Sequence, residues 1–164
     1  MVTFKLKIVE VDPQGADALV LLNEAAAEAR ALYPDFIGVG APWPTNPPTP
    51  KGGTYLVAYA DSNPVACGAF RPIDDAAVEI RRVFVTHMAR GQGLARAILT
   101  DLEVRARKLG YAAMRLETGN RQISAVALYE SFGFKRIPPF GEYANDPTSI
   151  CFEKAVRGAM ERSA

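Results

Sequence analysis

Hydrophobic and polar residues alternate at the start of the chain, which predicts a β-strand over Phe4–Val11. Asp12–Gly15 then predicts a turn, because Asp, Pro and Gly favour turn geometry. After this turn, apolar residues recur at helical spacing, at Leu19, Leu22, Ala26 and Ala29. We expect this helix to end near Tyr33, because a residue that precedes proline resists helical geometry.

Further strands are predicted in the middle of the chain, over Thr54–Ala60, Val65–Phe70 and Ala77–Thr86. The turn sequence Asp61–Pro64 joins the first two of them. In the third strand, apolar residues occupy even positions up to Ile80 and odd positions from Val83. One extra residue in a strand reverses the direction of the following side chains, so we expect a β-bulge there.

The second half of the chain predicts two more helices and three more strands. A helical stripe covers residues 94–109, with Gly110 placed to end it. Ser124–Phe132 predicts a shorter helix with Ser124 as its N-cap. The strands are expected over Tyr111–Glu117, Phe134–Ile137 and Ser149–Glu153. The pattern predicts one α+β domain over residues 1–155, followed by a tail over residues 156–164.

The composition is that of an ordinary globular protein, with 49% hydrophobic residues, 23% charged residues and a net charge of +1. This balance has no basic surplus for binding nucleic acid, and no apolar run is long enough to span a membrane. The start of the chain lacks the apolar segment of a signal peptide, so we expect a cytoplasmic location. His87 is the single histidine and no CxxC pair occurs, so we expect no metal site.

The two cysteines, Cys67 and Cys151, lie in apolar, strand-like stretches and predict buried, reduced thiols. A cysteine nucleophile with His87 as its base is the alternative, but the sequence shows no third group to orient such a pair.

A turn between a strand and a helix carries the most specific chemistry in the sequence. It consists of Arg90, Gly91, Gln92, Gly93, Leu94, Ala95 and Arg96. The first N–H groups of a helix lack partners and lie at its positive end, and glycine lets a phosphate approach them closely. A Walker loop would need a Gly-Lys-Ser/Thr ending, and Arg96 stands where a dinucleotide fingerprint has Gly or Ala. A plain connecting turn is the other interpretation of this segment alone.

This turn resembles the R-x-x-G-x-G/A pyrophosphate loop of the GNAT acetyltransferases. Glu79–Val85 is similar to the strand that precedes the loop in that superfamily, and Ala127–Phe134 is similar to its A-L-Y-x-x-x-G-F motif. The three motifs occur in the same order and at the same spacing, and the resemblance covers nearly the whole chain. It implies a mixed, mostly antiparallel central sheet that is flanked by helices and splayed between its fourth and fifth strands.

The resemblance also implies acetyl-CoA as co-substrate. The pantetheine arm would pair with the backbone of Val83–Val85, and a nearby N–H would stabilise the oxyanion. Glu79 occupies the position of a general base, with a solvated carboxylate paired with Arg81 as the alternative. Tyr129 matches the residue that protonates the departing thiolate, and Asn120 matches a residue that hydrogen-bonds the cofactor.

The acceptor side is expected to include Tyr33, Trp43 in the long loop Gly38–Gly53, Arg71, Phe140 and Tyr143. We expect Arg71 either to clamp a carboxylate of an amino-acid-like acceptor or to be a surface arginine at the end of a strand. The implied reaction is direct attack by the primary amine of a small molecule in a ternary complex. A protein acetyltransferase acting on lysine or N-terminal amines, and a non-catalytic acyl-CoA-binding regulatory module, are the alternatives. The sequence leaves a homodimer open.

Overall fold

A computed structural model describes residues 5–156. The strands are β1 (Leu6–Glu10), β2 (Thr54–Ala60), β3 (Asn63–Pro72), β4 (Ala77–Val85), β5 (Ala113–Gly119), β6 (Lys135–Ile137) and β7 (Ser149–Ala155). The helices are α1 (Ala16–Leu32), α2 (Leu94–Lys108) and α3 (Ile123–Phe132), with single 3-10 turns at His87–Ala89 and Gly141–Tyr143. All the predicted strands and helices are therefore present, with small differences at their ends.

The seven strands form one sheet in the order β1-β2-β3-β4-β5-β7-β6. Neighbouring strands run antiparallel except β4 and β5, which are parallel. These two strands pair only where Ala77–Ile80 lies beside Ala113–Leu116. Beyond these pairs, β4 continues along β3 and β5 continues along β7, so the sheet opens between its fourth and fifth strands. This confirms the predicted mixed, mostly antiparallel α+β fold and its splay.

A β-bulge interrupts β4 shortly after the strands part. Cys67 lies opposite Phe84 and Ala69 lies opposite Arg81, so two steps along β3 match three steps along β4. Arg82 occupies the extra step with φ of 63°, a left-handed conformation that is uncommon for a residue with a Cβ atom. The bulge confirms the prediction from the reversed parity of the apolar residues.

The helices cover both faces of the sheet. Leu56 and Val57 are neighbours on β2 and belong to different core clusters, because successive side chains of a strand point to opposite faces. Helix α1 packs on the face of Val57, and helices α2 and α3 pack on the face of Leu56. A Cβ atom at Gly68 would lie 2.4 Å from Cγ2 of Ile98 in α2, so this helix packs directly against the backbone of β3.

One prediction about the end of an element is wrong. Ser124 is not the N-cap of α3: the helix begins at Ile123, and its N-cap is Gln122, whose N–H donates to the carbonyl oxygen of Gly119 at 3.1 Å. This tight turn starts the helix before the serine is reached. Val156, the first residue of the predicted tail, is buried, and its N–H donates to Ala112 O at 2.7 Å. The rest of the predicted tail, and Phe4 of the first strand, lie outside the described residues.

Candidate active site

The backbone is open to a ligand at the turn where β4 leads into α2. Gly91 and Gly93 both have φ of 77°, which glycine adopts without the strain that a side chain would bring. A Cβ atom at either position would meet no atom within 4 Å, so the space beside this backbone is free of protein. Gly93 is the N-cap of α2, whose first N–H groups have no partner inside the helix. The turn therefore fits an anionic group such as a phosphate.

A groove of about 900 Å³ begins at this turn. Its walls come from α1, the bulged half of β4, the turn itself and the first part of α3. Most of the predicted cofactor residues line it: Val83, Phe84, Val85, Arg90, Gly91, Gly93, Leu94, Ala95, Arg96 and Tyr129. Gln92 and Asn120 are exposed and lie outside the lining, and the Asn120 N–H donates to Thr148 O at 2.8 Å.

The two arginines of the turn are held by the protein itself. Arg90 donates from Nε to Val85 O at 3.0 Å and from Nη2 to Glu28 Oε2 at 2.5 Å, which ties the turn to the end of β4 and to α1. Arg96 donates from Nη2 to Ser131 Oγ at 2.7 Å, which ties α2 to α3. Both side chains keep further N–H donors. Glu28 balances the charge of Arg90, whereas Arg96 has no salt bridge among residues 5–156 and adds positive charge to this end of the groove.

Tyr129 brings a neutral hydroxyl group to the groove. It is buried in α3, where its ring packs edge-on against Phe134 at 5.8 Å between centroids and lies tilted against Phe152. Burial raises the pKa of the phenol, and the charge of Glu117 raises it further. Tyr129 is therefore an O–H donor over the whole range near neutral pH, which is the state that a general acid requires.

Glu79 is a buried carboxylate on β4, outside the groove lining, and both of its oxygens have partners. Its Oε1 accepts from Arg71, from Nε at 3.0 Å and from Nη2 at 2.9 Å, and its Oε2 accepts from the Tyr143 hydroxyl at 2.5 Å. The suggested pair of Glu79 with Arg81 is wrong, because Arg81 lies instead 3.9 Å from Glu142. Arg71 is the partner because it lies directly opposite Glu79 in the β3–β4 register.

Glu117 is a second carboxylate near Tyr129 and Glu79, and no sequence pattern indicated a role for it. It lies on β5 just beyond the last pair with β4, is half-buried, and accepts a hydrogen bond from the Ser149 hydroxyl. Burial raises the pKa of this carboxyl group, and the charges of Asp146 and Glu79 act in the same direction. Glu117 is the one acidic residue of β5, which was the available signal, but only the sheet order shows that it lies at the splay.

The predicted acceptor residues fall into two groups. Phe140 contacts Tyr143 edge-on at 5.4 Å between centroids, so both join Arg71 near Glu79. Tyr33 is buried, and its hydroxyl accepts from the Arg121 N–H at 3.0 Å. Trp43 is half-exposed, with the guanidinium of Arg30 over its ring at 4.3 Å from the centroid. The structure thus brings three of these residues together around Glu79 and gives Tyr33 and Trp43 contacts elsewhere. All five stay predictions as acceptor residues.

Residues 5–156 contain neither a cluster of metal-ligating side chains nor a membrane-spanning helix. Within these residues, no three His, Cys, Asp or Glu side chains are grouped so that they could hold a metal ion. No helix among them is long and apolar enough to cross a membrane. The cytoplasmic location and the homodimer stay predictions.

The profile of the acetyltransferase (GNAT) family matches residues 21–134, which include the turn, the groove and Tyr129. The chain belongs to the GNAT family. One relative of this GNAT protein is an IAA acetyltransferase from Azospirillum brasilense, 40% identical over 103 residues that cover 62% of this chain and 67% of the relative.

Solved structures show the same GNAT fold. A candidate acyl-CoA N-acyltransferase from Klebsiella pneumoniae superposes with a TM-score of 0.76 at 29% identity, covering 93% of this chain and 98% of its own. The PaiA N-acetyltransferase from Thermoplasma acidophilum, solved in complex with coenzyme A, has a TM-score of 0.70 at 15% identity and covers 93% of this chain and 99% of its own.

Proposed function

We propose that this GNAT protein transfers an acetyl group from acetyl-CoA to the primary amine of a small molecule. The observation that carries the proposal is the groove at the splay, where the β5-facing edge of Val83–Val85 continues into the glycine turn. One groove thus combines a backbone edge, suited to a pantetheine arm, with an anion-binding turn, suited to a pyrophosphate. Membership of the GNAT family supports acetyl transfer, and the coenzyme A complex of PaiA supports the co-substrate.

In this proposal the backbone does most of the binding. The N–H groups of the turn over residues 90–96 hold the pyrophosphate, and Val83–Val85 align the pantetheine arm. A backbone N–H near Val85 stabilises the negative charge that develops on the thioester oxygen. The acceptor amine attacks the acetyl carbon directly in a ternary complex, so the chain supplies no covalent nucleophile.

Side chains then move the protons. Tyr129 donates its hydroxyl proton to the departing thiolate, in keeping with its neutral state and its place in the groove. The attacking amine must lose a proton first, and in this proposal either Glu79 or Glu117 accepts it. Both oxygens of Glu79 already accept hydrogen bonds, so Glu79 would act through a water molecule. Glu117 forms no salt bridge among the described residues and accepts one side-chain hydrogen bond, from Ser149, which makes it a direct competitor for the role of base.

A panel of primary amines tests the proposed function, with release of CoA as the measurement and calorimetry of CoA binding beside it. We expect CoA binding, and CoA release that depends on the acceptor. Release with lysine-containing or N-terminal peptides alone would support a protein acetyltransferase instead. Binding of CoA without release for any amine would support a non-catalytic module, and absence of CoA binding would overturn the assignment of the groove.

A further inference from the structure

A second, smaller cavity of about 170 Å³ lies between the Pro-rich segment 45–50 and strands β2, β3 and β4. Its lining contains three arginines and no Asp or Glu, the arginines being Arg71, Arg81 and Arg82. Asn46 fixes the segment in place, because its Nδ2 donates to Pro13 O at 2.8 Å and to the Tyr55 hydroxyl at 3.2 Å. We call this cavity the arginine pocket.

Arg82 is the central cation of the arginine pocket. Its Nε donates to Asn46 Oδ1 at 3.0 Å and its Nη2 donates to Thr45 O at 3.2 Å, and both of these acceptors are neutral. No carboxylate lies within salt-bridge distance of Arg82 among residues 5–156. Burial lowers the pKa of this guanidinium, and the neighbouring Arg81 lowers it further. A partly buried charge without a counterion is costly, and an anionic ligand would remove that cost.

The other two arginines differ in how far they are neutralised. Arg71 is paired with the buried carboxylate of Glu79. Among the described residues, Arg81 forms a salt bridge only with Glu142, at 3.9 Å, and the side chain of Glu142 is 64% exposed, so solvent screens this pair. The arginine pocket therefore carries a net positive charge that the described carboxylates do not balance.

The arginine pocket adjoins the groove of the proposed reaction. Arg82 and Tyr55 line both cavities, and Arg82 directly precedes Val83–Val85. The left-handed backbone of Arg82 at the bulge is a strained conformation, of a kind that concentrates at functional sites. An acceptor whose amine lies at the thioester would thus have the arginine pocket within its immediate surroundings.

We propose that Arg81 and Arg82 bind an anionic group of the acceptor, a carboxylate or a phosphonate, so that the preferred acceptor is a small amine with a negative charge. This inference rests on the proposed acetyl transfer and adds the chemical class of the substrate. Arginine suits the task because its planar donors match the oxygens of such anions in pairs.

Pairs of amines that differ only in the anionic group test the inference. The pairs are L-phenylalanine with phenethylamine, L-leucine with isoamylamine, β-alanine with ethylamine, and 2-aminoethylphosphonate with ethylamine. We expect the anionic member of a pair to have a kcat/KM higher by roughly 10- to 100-fold, the effect of a charge-assisted hydrogen bond. The amino acids and the phosphonate show which anion is preferred.

The possible outcomes separate the two proposals. If the neutral amine of each active pair is used equally well or better, the anion site is overturned while acetyl transfer stands. If no member of any pair releases CoA, both proposals are overturned for small amines.

Variants then place the anion in the arginine pocket. Arg82→Gln and Arg81→Gln should each lower the anionic-to-neutral ratio of kcat/KM by roughly 10-fold or more, and Arg82→Lys should lower it less because the charge remains. Arg115→Gln is the matched control, because Arg115 pairs with Glu153 at 2.6 Å and should keep the ratio. If Arg82→Gln fails to fold, Arg81→Gln becomes the deciding variant. It should fold, because Arg81 loses only its 3.9 Å contact with Glu142. An unchanged ratio in a folded Arg81 variant overturns the inference.

Discussion

Two regions along β4 offer different kinds of contact. Toward the groove, the proposed contacts come from backbone groups, at Gly91, Gly93 and Val83–Val85. Around Glu79, the contacts come from charged side chains that hold one another, and Arg82 lies between the two regions because it lines both cavities. Backbone groups are the same whatever the side chains, whereas one substitution among interlocked charges changes what the site accepts. The comparison teaches that the groove suits an acetyl donor that is always the same, whereas the charged region suits the selection of one particular acceptor amine.

The largest expected effect concerns the acid in the groove. Tyr129→Phe should lower kcat by about 10²- to 10⁴-fold, the usual contribution of a general acid, with little change in affinity for CoA. Steady-state kinetics and calorimetry measure the two quantities. Near-normal kcat in this variant would show that Tyr129 is not the general acid. Its role would then be to pack against Phe134 and Phe152, and the groove would contribute binding but no acid.

The next comparison decides which carboxylate is the base. Removal of the base should cost about 10²- to 10⁴-fold in kcat, or less where water shares the task, and should flatten the acidic limb of the pH–rate profile. The base acts when deprotonated, and burial raises the pKa of Glu117, so a limb due to Glu117 should have its midpoint above the usual value of 4.5. Profiles of Glu79→Gln and Glu117→Gln show which variant loses the limb. If both variants keep the acidic limb of the pH–rate profile, neither carboxylate is the base, and catalysis depends on the positioning of the two substrates.

A smaller effect is expected for the backbone side. Gly93→Val should weaken CoA binding by roughly 10- to 100-fold, because a branched side chain would fill the open space beside the phosphate-binding N–H groups. Gly110→Val is the matched control: Gly110 has φ of 89° and open surroundings at the other end of α2. Both variants should lose stability through the strained backbone, and only the first should lose affinity in calorimetry. Equal affinities would place the phosphates elsewhere.

The smallest expected effect is on stability. A carboxyl group with a raised pKa binds its proton more tightly in the folded than in the unfolded state, so stability decreases as pH rises through this range. Glu117→Gln should therefore raise Tm by roughly 1–3 °C at pH 7 and by nothing near pH 3. Glu79→Gln should lower Tm instead, because it weakens the bonds from Arg71 and Tyr143. Thermal unfolding at both pH values measures this, and a lower Tm for Glu117→Gln at pH 7 would contradict it.

The sequence predicted the features that depend on neighbouring residues. The glycine turn, the reversed parity at the bulge and the helix that follows the turn are all local patterns, and the structure contains each of them. The pair of Arg71 with Glu79 depends on the register between two strands, and the place of Glu117 depends on where the sheet opens. Alternation along β4 suggested Arg81 as the salt-bridge partner of Glu79. It could not suggest Arg71, because the pattern of one strand does not show what lies opposite on the next strand.

The joint between β4 and β5 has a consequence for the motions of the protein. Within residues 5–156, four registered pairs join β1–β4 to β5–β7 in the sheet, and parallel pairing is the weaker kind. Amide hydrogen exchange should therefore divide the sheet into two cooperative units along this seam. A ligand bound across the seam would close it and slow exchange in both units, even at strands such as β2 and β6 that lie far from the groove in the strand order.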